Sequence, residues 1–152
     1  GLARSQDSIS RSILAVTETT SWPMLVVTAD HALLTPEMVE FFLRAEPRGD
    51  VSVAVVERKV VEAAYPETRR TWLKFSDGAY TGANMFAFRN ANARKALEIW
   101  ASVEKDRKKA AKLLRYFGPL LAIRALTRTI SLNGALAKAG GRAGLPRAGL
   151  NR

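Results

Sequence analysis

The chain has no cysteine and a single histidine, His31. The first absence excludes disulfides, thiol nucleophiles and Cys-type zinc sites, and it gives no sign of an oxidising compartment. The second excludes a histidine-rich metal site, and no Ser-His-Asp constellation can be argued. No apolar run approaches the ~20 residues of a membrane span, and no signal peptide is visible. A cytoplasmic location is therefore expected. Neither a GxGxxG nor a Walker-type GK[ST] motif occurs, so no glycine-rich phosphate loop can be recognised. Acidic residues are scarce in the last third. Residues 1–100 balance 12 Lys and Arg against 12 Asp and Glu, whereas residues 101–152 hold 12 Lys and Arg against Glu104 and Asp106 alone. The whole net charge of +10 thus belongs to the last third, and its meaning is confined there.

At 152 residues and 47% apolar content, the chain is long enough for one domain with a real core. Ile9, Ile13 and Val16 recur with helical period and predict a helix over Ser8–Thr19. Met24–Val27 is a continuous apolar run, which predicts a strand over Met24–Thr28 buried on both faces. Thr35, Pro36 and Glu37 form a helix start of N-cap, first helical position and dipole-matched acid. The helix Pro36–Ala45 should bury Val39, Phe42 and Leu43. Strands are expected at Val51–Val56, Val60–Ala64, Trp72–Phe75 and Met85–Phe88, with a Ser76-Asp77-Gly78 turn. A long helix, Ala91–Arg115, ends at Gly118-Pro119. Leu120–Thr127 and Leu132–Ala139 are further helical pieces, with Trp100 and Phe117 as core residues. Gly140–Arg152 reads as a flexible Gly/Arg-rich tail. Alternating strands and helices predict a three-layer α/β/α sandwich with a mostly parallel sheet.

Three local patterns bear on chemistry. Arg4-Ser5-Gln6-Asp7-Ser8 leads into the first helix, where backbone N–H groups and the dipole favour an anion; an ordinary Ser N-cap is the alternative. The strand from Met24 runs out into Asp30 just before a helix start. In an open parallel sheet that is the carboxyl edge where ligands collect, and a hard oxygen ligand suits magnesium. A simple turn residue is the alternative. Tyr80-Thr81-Gly82-Ala83-Asn84 precedes a strand. Gly82 would permit close backbone approach, and Asn84 offers a donor and an acceptor; a turn into the strand is the alternative.

In this order the three patterns resemble the nucleotidyltransferases of glycosyltransferase-A-like fold, in particular molybdenum-cofactor guanylyltransferase and methylerythritol-phosphate cytidylyltransferase. RSQDS resembles the family's Arg-x-x-Ser turn, which implies nucleotide-binding roles for Arg4 and Ser8. TADHALLTPEM resembles the metal-binding strand end, which implies that Asp30 is the catalytic magnesium ligand. TGANMFAF resembles the segment lining the acceptor pocket, which implies substrate-binding roles for Gly82 and Asn84. The resemblance covers about residues 1–90. It implies a nucleoside triphosphate and a small phosphorylated acceptor as substrates, with Mg2+ as cofactor. Residues 91–139 then form a basic helical segment packed on this core, and 140–152 the tail.

The chain also departs from the family. Members open with a strand and a Gly-rich loop carrying Arg and Lys, and they end with a second Asp-bearing segment. Neither is found in these 152 residues, and no acidic residue follows Asp106. The resemblance thus implies an incomplete fold, weak or no turnover by this chain alone, and an exposed or gapped sheet edge.

In the basic third, Lys105, Arg107, Lys108, Lys109, Lys112, Arg115, Arg124 and Arg128 alternate with Leu113, Leu114, Tyr116, Phe117, Leu120, Leu121 and Ile123. A solvated outer face of a packed helix pair accounts for this. Its functional alternative is an anionic membrane surface contacted by residues 105–128, peripheral to the inner face of a membrane. No nucleic-acid-binding motif accompanies the charge.

Overall fold

The computed structural model describes residues 1–44, 49–104, 129–142 and 148–151. In chain order these form α1 (Ile9–Thr17), β1 (Met24–Val27), α2 (Pro36–Arg44), β2 (Val51–Glu57), α3 (Arg58–Ala64), β3 (Leu73–Phe75), β4 (Gly78–Phe88), α4 (Ala93–Glu104), α5 (Leu132–Arg142) and β5 (Ala148–Asn151). The expected helical pieces between residues 105 and 128, with the basic face and Phe117, lie outside the described residues.

The helices start where their local chemistry says. Ser8 caps α1 by accepting from the Arg11 N–H at 3.3 Å. Thr35 does the same for α2, accepting from Met38 N–H at 3.4 Å. Glu37 lies in the first turn of α2 and Arg44 in the last, so both charges match the dipole. The Thr35 side chain, then its own backbone N–H, hold the Glu37 carboxyl below its ordinary value of 4.5. A depressed carboxyl stabilises the fold above its unfolded value and loses that contribution as pH falls through the folded one. Glu37→Gln should therefore flatten the acid limb of thermal stability below about pH 4.5. Melting curves of both proteins between about pH 3 and pH 7 check this; acid limbs of equal slope would count against it.

The sheet runs β1-β4-β2-β5, with β3 also pairing β4. β1, β2 and β3 are each antiparallel to β4, and β5 is parallel to β2. The sheet is therefore mixed, and the expectation of a mostly parallel one is corrected. β1 and β2 do run in the same direction, but the long β4 is inserted between them and runs oppositely. The sequence showed only its last four residues as a strand, because Gly82 and Asn84 read as turn residues.

Side chains alternate along β4 and separate two cores. Phe88, with Phe86, packs on the side of Met24, Val26, Ile13, Ala93 and Leu97. Met85 and Ala87 pack on the other side with Phe42, Ala54 and Val39. Helices α1 and α4 thus cover one face and α2 the other, which gives the expected layering of a mixed α/β protein. Trp100 joins the first core, its ring 5.4 Å from that of Phe86.

Four further expectations are corrected. Residues 60–64 are helical, not a strand, because Arg58 pairs with Glu62 at 2.6 Å one turn on and this outweighs the β preference of Val60 and Val61. Leu43 is 49% exposed rather than buried, one helical position beyond the face that Phe42 presents. β1 is not buried on both faces: Leu25 and Val27 are 37% and 40% exposed, on the face opposite the one where Met24 and Val26 pack with Ile13 and Leu97. Residues 140–142 are helical and 148–151 form β5, where a loose tail was expected. Pairing with β2, from Val51↔Ala148 to Ala54↔Asn151, overrides the weak intrinsic preference of a Gly-rich segment.

Candidate functional site

The described residues bring two of the three sequence patterns into contact. After Val27 the β1 chain turns through Thr28, Ala29 and Asp30, with His31 N–H donating to Thr28 O at 3.2 Å and Ala32 N–H to Asp30 O at 3.0 Å. Thr28 N–H donates across to Asn84 O at 3.2 Å. Asp30 is exposed and accepts a hydrogen bond from the Thr28 hydroxyl. Asp30 and Asn84 therefore stand together where β1 ends.

A bulge in β4 creates this point. Val53 pairs Phe86 while Val55 pairs Gly82, so β4 spends two more residues than β2 over the same stretch. Asn84 sits in the bulge with φ +52°, a left-handed conformation that Asn tolerates better than most residues. Bulges re-aim side chains and gather beside functional sites. Gly82, two residues earlier, is exposed, and a Cβ built on it meets nothing within 4 Å. Open space at Gly82 leaves the backbone reachable by a ligand. It does not require glycine, however, which weakens the sequence argument from close approach.

Ser8 and Arg4 belong to the helical layer, before and at the start of α1. Arg94, at the start of α4, donates to Thr17 Oγ1 at 3.1 Å and to Glu18 at 3.4 Å. At the other end, Ser10 N–H donates to Glu104 Oε2 at 3.2 Å. The two helices are thus antiparallel. Because α4 follows directly on Phe88, the N-terminus of α1 lies toward the Val27 end, the end from which Asp30 projects. Arg4 is exposed, and its carbonyl accepts from Gln6 at 3.4 Å.

The α1 N-terminus is not simply open to an anion. Ser8 spends its hydroxyl on the cap, and Ser8 Oγ lies 3.1 Å from Ser10 Oγ. The Ser10 hydroxyl, fully buried, donates to Glu104. A carboxylate of the protein already occupies part of the position where a phosphate was expected. Sequence reasoning missed Glu104 and Ser10 because they are 94 residues apart. It missed Thr28 as well, although a hydroxyl two residues before an Asp is a readable local signal.

The donor set tests the metal reading. No group of three or more His, Cys, Asp or Glu side chains is gathered among the described residues, so a resident ion held by protein alone does not fit. One exposed carboxylate does fit magnesium that keeps several waters and arrives with substrate phosphates. His31 adds nothing visible to it: its Nδ1 is buried and makes no hydrogen bond. A shallow depression on α2, lined by Glu37, Glu40, Phe41 and Arg44, contains none of the sequence-derived site residues. No helix among the described residues is long and apolar enough to cross a membrane.

A solved structure described as a hypothetical transferase from Thermus thermophilus is similar to this chain, with 28% identity and a TM-score of 0.85 over 96% of its length. The chain spans 63% of the length of that protein. No family model and no curated protein matches.

Proposed function

We propose that this chain carries part of a nucleotidyltransferase, which moves a nucleoside monophosphate from a nucleoside triphosphate to a phosphate- or hydroxyl-bearing acceptor and releases pyrophosphate. The observation that supports it best is the hydrogen bond from Thr28 N–H to Asn84 O, 3.2 Å long. It joins the strand end bearing Asp30 to the Gly82–Asn84 segment, the two patterns to which the family resemblance assigns metal and acceptor. The transferase neighbour supports the broader class.

In this reading an acceptor oxygen attacks the α-phosphorus in line as the bond to pyrophosphate breaks. Magnesium, when bound, would draw charge from the phosphate oxygens. Asp30 would contribute one carboxylate oxygen to it. Asn84 offers an amide donor and acceptor to the acceptor substrate, and the open backbone at Gly82 lets that substrate lie close. Arg4 would neutralise phosphate charge, as the family resemblance implies. Positioning and electrostatics do most of the work in such reactions. A chain with a single carboxylate and no Gly-rich phosphate loop in its sequence should turn over far below the ordinary range of about 1–10³ s⁻¹.

Equilibrium binding of the four nucleoside triphosphates, with and without Mg2+, tests the reading. Binding is expected to need Mg2+ and to weaken about tenfold or more in Asp30→Asn. Equal affinities for the original chain and the variant would sink it. Pyrophosphate release on the same samples checks the expectation of weak turnover.

A further inference from the structure

The Thr28–Asp30 contact goes beyond holding a turn together. Thr28 is half-buried and fixed twice through its backbone: its N–H is bonded to Asn84 O and its carbonyl accepts from His31 N–H, each at 3.2 Å. Its hydroxyl donates to Asp30 Oδ1. Oδ2 of Asp30 accepts no hydrogen bond among the described residues, and the residue is exposed. One carboxylate oxygen is therefore pinned to the sheet and the other left for a ligand. An exposed Asp without this anchor samples several rotamers, and ordering it costs side-chain entropy at the moment of binding. Partners that orient a metal ligand typically matter about 10- to 100-fold in affinity.

We infer that Thr28 is a positioning residue: through Asn84 and the β4 bulge it holds the Asp30 carboxylate with one oxygen free to meet the magnesium ion of a magnesium-bound nucleoside triphosphate. The inference rests on the role proposed above for Asp30. It predicts that the hydroxyl, and not the bulk, of residue 28 matters, since serine keeps the donor and valine keeps the shape.

The experiment uses Mn2+ with each of the four nucleoside triphosphates in turn as a paramagnetic probe on the full 152-residue chain. Broadening of the backbone amide signals of residues 28–34 and 82–84 is followed as the probe is added. The original chain should show broadening centred on Asp30. Asp30→Asn should lose it, Thr28→Val should need about tenfold more probe, and Thr28→Ser should stay within about twofold of the original. Melting temperatures report whether the variants remain folded. If Asp30→Asn abolishes broadening while Thr28→Val matches the original chain, the inference falls and the role of Asp30 stands. If Thr28→Ser is as weak as Thr28→Val, the effect is one of packing and the inference falls. If the original chain shows no broadening near Asp30, or Asp30→Asn leaves it unchanged, both the inference and the proposed function fall.

Discussion

Phe42→Ala is expected to destabilise the protein by about 3–5 kcal/mol, the range for truncating a buried aromatic. Phe42 is 2% exposed and is the buried anchor of α2, packed with Ala54, Met85 and Ala87. Its neighbours on the helix are far from buried: Met38, Phe41 and Leu43 are 47%, 63% and 49% exposed. One side chain thus carries most of the attachment of α2 to the sheet. The nearby half-buried Val39 and Leu34 are unable to fill the space left by a phenyl ring without moving the helix. At roughly 2–4 °C per kcal/mol for a domain of this size, melting should fall by about 6–20 °C. Phe41→Ala is the control, with a change inside about 0.5 kcal/mol for an exposed position. Because α2 begins six residues after Asp30, Phe42→Ala should also loosen the turn between them. Hydrogen exchange at Ala32 and Leu34, whose N–H groups bond within that turn, should quicken. Unchanged melting in Phe42→Ala would falsify the view that α2 hangs on this residue.

Glu104→Ala should cost about 2–3 kcal/mol. Ser10 is fully buried, and both its N–H and its hydroxyl donate to this carboxylate. The Ser10 N–H is one of the four donors that α1 leaves unpaired at its start, and a negative charge there is favoured by the helix dipole. Removing the carboxylate strands two buried donors, and hydrogen bonds to charged groups are worth about 1.5–3 kcal/mol. The Ser8 hydroxyl at 3.1 Å recovers part of this for the Ser10 side chain and nothing for the N–H. Glu104→Gln, which keeps an acceptor oxygen and drops the charge, should cost about half as much. Chemical denaturation of both variants distinguishes these values. Equal losses for Ala and Gln would mean that charge, and not the acceptor, holds the two helices together.

Much of the local structure was legible in the residues. Ser8, Thr35 and Pro36 mark helix starts through side-chain oxygens and a fixed φ, and these act within four residues of themselves. Ile13 and Phe42 were placed on the apolar faces of their helices by period alone. Asp30 after an apolar strand was legible as a point where the chain leaves the sheet. Val60 and Val61 suggested a strand, and the Arg58–Glu62 pair makes a helix. Gly82 and Asn84 suggested a turn, and they form a bulge inside the longest strand. Gly140 and Gly141 suggested a loose tail, and they belong to α5. An intrinsic preference worth a fraction of a kcal/mol to about one was outweighed each time, at Val60 and Val61 by a pair one helical turn away and at Gly82 and Asn84 by pairing of β4 with β2.

The candidate site divides in the same way. Its chemistry, a hard carboxylate, an amide and an accessible glycine, is carried by side-chain types and needs no fold to be recognised. Its geometry is the product of β4 running antiparallel between β1 and β2, a relation between residues 23 to 64 positions apart. That arrangement sets Asn84 against Thr28 and lets Glu104 reach Ser10. Capping and periodicity are short-range forces written in neighbouring residues. Strand order and the seating of one helix on another are settled by which apolar faces find each other once the chain closes its long loops. So the residue types spell out which groups are available for chemistry, and the closed fold selects which of them meet and which, like the N-terminus of α1, are already engaged.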